Sequence, residues 1–148
     1  MKADLFKKMN LFLANQTVLY MKFHNLHWFV TGRNFFTLHQ KFEDLYNSAG
    51  EIADEVAERL LALEQSPLAS YDEILKIATI KERKSGLVES ADAVKIVLDD
   101  LNLLIKDAIE IRKLAGDAGD AGTEDMFVQY VKDYEKLRWM LKAMMQSV

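Results

Sequence analysis

Three histidines and two spaced carboxylate pairs are the side chains in this sequence best suited to chemistry. His24, His27 and His39 all fall in the first 39 residues, His39 is followed four residues later by Glu43, and Asp54 by Glu58 at the same interval. Residues four apart on a helix share a face. At about 100° per residue, His39, Glu43, Asp54 and Glu58 occupy one stripe roughly 100° wide. Imidazole and carboxylate together suit iron, zinc or manganese. A charged pair four residues apart is ordinarily just a solvated face. This stripe, however, lies beside the apolar face, while Gln40, Asp44, Glu51, Glu55 and Arg59 form the opposite, solvent side. Half-buried carboxylates need partners.

Length decides how such a stripe can work. From His39 to Asp54 is 15 residues, or about 22 Å of helix at about 1.5 Å per residue. One straight helix cannot bring both pairs to one metal, but two copies packed antiparallel about a two-fold axis can. The small residues Ser48, Ala49 and Gly50 at the midpoint of the stripe would let two helices approach closely. His27, from the preceding helix, is placed to add a second imidazole. The expectation is two equivalent metal sites per dimer.

The elements that must hold these residues are helices. Only one proline and six glycines punctuate the 148 residues. Apolar side chains recur at helical spacing from about Ala3 to Val30, with Thr31-Gly32 as a stop. Asn34 is a candidate N-cap for a second helix from about Phe35 to Leu63, ended by Gln65-Ser66-Pro67. Ser70 and Glu73 have capping-box spacing and open a short helix through about Ala78. A third long helix is expected from about Leu87 to Leu114, broken by the GDAGDAG run from Gly116 to Gly122. Thr123 is expected to cap a fourth, reaching nearly to the C-terminus. No strand pattern competes. Four long helices and a short one between the second and third make an all-α four-helix bundle, expected as a single domain over residues 1–148.

The run His24-Asn25-Leu26-His27-Trp28, with Phe35-Phe36-Thr37-Leu38-His39 and Asp54-Glu55-Val56-Ala57-Glu58-Arg59, resembles the Dps family of mini-ferritins, within the ferritin-like superfamily. The combined spacing His-x11-His-x3-Glu-x10-Asp-x3-Glu is specific, and the likeness runs end to end, including the Trp139-Met140 region. It implies a hollow shell of twelve subunits built from two-fold dimers. Such a shell oxidises Fe(II) at ferroxidase sites in the dimer interface, usually with hydrogen peroxide, and stores ferric mineral as protection against oxidative stress. Carried over by position, His27, His39 and Glu43 come from one subunit and Asp54 and Glu58 from its two-fold mate. Glu43 stands where many members carry Asp, which adds a methylene and affects the second metal. Trp28 is a candidate trap for stray oxidising equivalents, or simply dimer packing. His24 is placed to bind a ligating carboxylate, or to be a hydrogen-bonded interface histidine. Asp117, Asp120 and Asp125 are the candidate acids of a three-fold iron pore, which would concentrate cations. The Glu-x-x-His motif of larger ferritins is absent, since no histidine follows residue 39.

Bulk properties narrow the alternatives. A formal charge of −4, from 19 Lys+Arg and 23 Asp+Glu, argues against a broad basic surface for nucleic acid. Many Dps proteins coat DNA through a lysine-rich N-terminal extension; here only Lys2, Lys7 and Lys8 precede Met9. DNA binding is expected to be weak or absent, with a Dps-type nucleoid-protection protein of minor iron chemistry as the alternative. A plain helical binding or surface protein with no chemistry is the third reading. With no cysteine there is no disulfide framework, thiolate zinc site or thiol nucleophile. No secretion signal or membrane-length apolar run is evident, so the expected setting is cytoplasmic. GDAGDAG follows a helix and lacks Gly-Lys-Ser/Thr, so it reads as a connector rather than a phosphate loop. Met140, Met144 and Met145 read as core or contact residues.

Overall fold

The computed structural model describes residues 2–146. Among them the order is α1 (Lys2–Phe29), β1 (Val30–Thr31), α2 (Phe35–Ala62), α3 (Tyr71–Ile77), β2 (Val88–Glu89), α4 (Ser90–Asp117) and α5 (Ala121–Met145). The helices follow the apolar periodicity closely. Contacts divide the chain into two compact units, Asn10–Ala93 and Met1–Met9 with Val94–Val148.

In the first unit α1 and α2 run antiparallel: His27 lies against His39, and Tyr20 against Gly50. Buried on these two helices are Phe12, Leu19, Phe23 and Leu26 of α1 and Leu38, Phe42, Leu45, Ala49, Val56 and Leu60 of α2. Each of the larger side chains is worth about 1.5–3 kcal/mol of burial. That gain, more than intrinsic propensity, holds helices of this length in place. A Cβ at Gly50 would stand 3.3 Å from the Tyr20 ring, so this glycine serves a close approach between two helices of the same chain. Ala49, too, is buried within its own chain.

The long connection from α2 to α4 is tied to α1 by three asparagines. Asn10 accepts from the Leu68 amide and donates to the Ser66 carbonyl. Asn15 accepts from the amides of Thr79 and Ile80, at 2.9 and 3.0 Å. Asn25 donates to the carbonyls of Arg83 and Lys84 and accepts from the Arg83 guanidinium. Buried polar side chains must be satisfied; these satisfy themselves on the backbone of a segment that has little regular structure of its own. Within that segment Ser70 and Glu73 form the expected capping box, the hydroxyl accepting from the Glu73 amide and donating to its carboxylate.

Two expectations are corrected here. A strand pair does form: β1 and β2 pair in parallel, Val30 with Val88 and Thr31 with Glu89, and the Ser90 hydroxyl donates to the Thr31 carbonyl at 2.7 Å. Extended pairing delays α4 from Leu87 to Ser90. Asn34 does precede α2, but in the left-handed conformation (φ 66°) and without a side-chain capping bond.

The second unit packs Leu5 and Met9 with the apolar faces of α4 and α5, among them Val97, Leu101, Leu104, Ile111, Phe127, Tyr130 and Leu141. Lys8 pairs with Glu110 at 3.3 Å. Arg112 pairs with Glu124 at 3.2 Å, over Gly116, whose missing Cβ leaves room for that carboxylate. The break between α4 and α5 also differs from expectation: Gly116 and Asp117 remain helical, and Asp120, not Thr123, caps α5. The Asp120 carboxylate accepts from the Thr123 amide at 3.0 Å and from the Thr123 hydroxyl at 2.6 Å. Thr123 is buried inside the first turn. Met140 and Met145 are exposed, so they are not core residues.

Candidate metal centre

His27 and His39 meet where α1 ends and α2 begins, an arrangement produced by the short turn between them. Their rings stack at 3.7 Å and 13°. The bonding is reciprocal: His27 Nδ1–H donates to the His39 carbonyl at 2.6 Å, and His39 Nδ1–H donates to the His27 carbonyl at 2.8 Å. A carbonyl oxygen can only accept, so each proton belongs on Nδ1 and each Nε2 carries the lone pair that could ligate a metal. Fixing one ring nitrogen on a backbone acceptor is how metal-ligating imidazoles are oriented. His27 is 7% exposed. The donor set thus fits a divalent metal ion.

Glu43 lies one turn beyond His39 on α2, half-buried, with Gln40 donating to it at 3.4 Å. Tyr46 follows on the same face. Partial burial raises its phenol above the ordinary 10.0, and the neighbouring Glu43 carboxylate, hydrogen-bonded to it, adds to the effect. Among the described residues His24 makes no bond to a carboxylate: its Nδ1–H donates to the Tyr20 carbonyl at 2.6 Å, and its ring stacks on Tyr46 at 3.6 Å and 16°. Trp28 is 61% exposed and lies 5.3 Å from the His24 ring.

Asp54 and Glu58 are exposed on the same helix as His39, and α2 is unbroken between them. Among the described residues no group of three or more His, Cys, Asp or Glu comes close enough to hold a metal ion. A single chain therefore keeps two clusters of ligand-type side chains apart: a histidine pair with Glu43 beside it, and an open carboxylate pair. Of the acids considered for a pore, Asp117 pairs with Lys113 at 3.3 Å, Asp120 is occupied as the α5 cap, and Asp125 is exposed. Sequence reasoning missed Tyr20 and Tyr46, which fall in no motif; the proximity of Tyr46 to both His24 and His27 appears only once α1 and α2 are paired.

A ferritin-like domain family matches residues 6–148. General stress protein 20U of Bacillus subtilis is 42% identical over 143 residues, 97% of this chain and 98% of that protein. The crystal structure of Dps from Staphylococcus aureus superposes with a TM-score of 0.94 at 38% identity, covering 99% of this chain and 97% of that one. A Dps from Vibrio cholerae, described as a member of a broad superfamily of ferritin-like diiron-carboxylate proteins, gives 0.92 at 36% identity over 97% of this chain and 90% of its own. The fold class is therefore the all-α ferritin-like four-helix bundle, with α3 the short helix in the connection between the second and third long helices. Within that class the chain belongs to the Dps family of mini-ferritins. No helix among the described residues is long and apolar enough to cross a membrane.

Proposed function

We propose that this chain is a ferroxidase and iron-storage subunit, a single domain whose metal centres are completed only by a second copy. His27, His39 and Glu43 of one subunit face Asp54 and Glu58 of its two-fold mate, giving two equivalent centres per dimer, and six such dimers close a twelve-subunit shell. Iron is the substrate and the cargo. Neutral imidazole nitrogens and ionised carboxylates hold Fe(II) while leaving positions open for the oxidant. Two Fe(II) ions each give up one electron, and the two electrons cleave the O–O bond of hydrogen peroxide to leave two hydroxides and two Fe(III). The ferric ions then hydrolyse and deposit as mineral inside the shell. On this reading the connector acids Asp117, Asp120 and Asp125 lie along the cation's way in.

The observation that carries the proposal is the unbroken course of α2 between His39 and Asp54. It keeps the two half-sites about 22 Å apart along one rod and leaves a partner chain as the means of joining them. The alternative, DNA protection with minor iron chemistry, is disfavoured by the net charge of −4 and by the engagement of Lys8 with Glu110, because phosphate contacts need clustered positive charge. Asp54→Ala and Glu58→Ala should each slow Fe(II) oxidation at least about tenfold while leaving particle size unchanged. Stopped-flow oxidation with peroxide, alongside light scattering, checks both. Parent-like rates in both variants refute the site.

A further inference from the structure

Beside the histidine pair stands an aromatic residue with a defined position on every side. The Tyr46 ring is stacked on His24 at 3.6 Å and 16°, and meets His27 edge-on at 5.4 Å and 85°. Tyr20 closes the cluster edge-on at 6.1 Å, and the Tyr20 ring is itself held against Gly50. His24 cannot swing away freely, because its Nδ1–H is tied to the Tyr20 carbonyl. Tyr46 is thus clamped between two imidazoles, three residues along the α2 face from Glu43, a spacing at which helix side chains touch. Beyond the effect of burial, the Glu43 carboxylate is near enough to raise the Tyr46 phenol, by its charge and by hydrogen bonding. Glu43 stands where many family members carry Asp, so it has an extra rotatable bond to control. Its other neighbour, Gln40, reaches it only at 3.4 Å and shares itself with Asp44 at 3.1 Å.

We infer that Tyr46 is a positioning residue for the second iron position, holding the Glu43 carboxylate and bracing the His27 ring, with His24 as its backstop. This rests on the metal-centre reading above. It gives His24 a task other than ligation: it stacks on the residue that orients a ligand. A partner that orients a ligating group typically matters about 10–100-fold in metal affinity.

Intact, metal-free assemblies titrated with Co(II), followed by its visible absorption, separate the alternatives. The parent should take up two Co(II) per centre. Tyr46→Phe keeps the ring and its stacking and removes only the hydroxyl. It should leave the first Co(II) unchanged, weaken the second by about tenfold, and change the second-step spectrum. In a Glu43→Ala background, adding Tyr46→Phe should do nothing more, because the two act through one contact. Parent-like second binding in Tyr46→Phe overturns the inference, as does an effect of equal size in the Glu43→Ala background, which would mean that the hydroxyl acts by a route other than Glu43. A parent that binds no Co(II) overturns the metal centre and this inference together, whereas two-step binding in the parent with no response to Tyr46→Phe overturns the inference alone.

Discussion

Asp107 stands half-buried on α4, and its burial raises the carboxyl above the ordinary 3.8; Lys8 pulls it back, Glu110 pushes it further up, and Lys106 opposes. An acid with a raised folded-state pKa binds its proton more tightly native than unfolded. In the window upward from 3.8 the native state therefore holds more protons, and stability falls as the pH rises through it. Above the window the charged carboxylate carries a standing cost. Asp107→Asn should accordingly melt slightly higher than the parent at neutral pH, by about 1–2 °C given the exposure of the group. The gap should close as the pH falls toward 3.8. Thermal melts at stepped pH check this; a variant less stable by the same margin at every pH would mean that the Lys8 attraction outweighs burial. At this scale the sequence showed residue types and spacing: His27, His39, Glu43, Asp54 and Glu58 could be proposed as ligands because the side chains that bind metals come in few kinds. It could not show that His27 and His39 bond each other's carbonyls, because a backbone acceptor leaves no mark on the residue that supplies it.

Helix ends show where local chemistry outruns pattern. Both Asp120 and Thr123 are good cap residues by type, and the repetitive GDAGDAG run offers several registers; the structure selects Asp120, because its carboxylate reaches both the amide and the hydroxyl of Thr123. Asp120→Ala should therefore cost about 1 kcal/mol, read as a lowered denaturation midpoint. Asp120→Asn keeps a capping oxygen and should cost much less. The same pair separates cap from pore. If the carboxylate charge of Asp120 also guides cations, Asp120→Asn will slow iron uptake at unchanged stability; if it is a cap alone, uptake will match the parent. The long helices and the Ser70–Glu73 box were legible because each repeats a short-range rule over many residues or at a fixed offset. The β1–β2 pair was not, since two residues per strand are too few to alternate, and its partners are 58 residues apart. Nor were the asparagine ties. Asn10, Asn15 and Asn25 look like helix-weakening residues until the connection they hold is laid along α1.

At the scale of the whole molecule, the proposed centre makes one chain chemically incomplete. Its histidine pair and its carboxylate pair sit on one continuous helix, and among its described residues nothing gathers three ligands. The proposed isologous dimer would repair this twice over, since whatever one copy lends, it also receives. Complementation gives the sharpest consequence. A chain carrying His27→Ala and His39→Ala and a chain carrying Asp54→Ala and Glu58→Ala should each assemble and oxidise Fe(II) poorly. In a mixed dimer one centre loses every altered ligand set at once, while the other takes histidines from the second chain and carboxylates from the first and is whole. With random pairing at equal amounts, half the dimers are mixed and half their centres intact, so co-assembled shells should recover about a quarter of the parent rate. Simply adding the two preformed variant shells together should recover none, because closed shells do not exchange ligands. Recovery near a quarter on co-assembly, measured by peroxide-dependent Fe(II) oxidation per subunit, requires that the two halves come from different chains. No recovery from shells shown by mass to be mixed would mean that each chain builds its centre alone, against the geometry of α2.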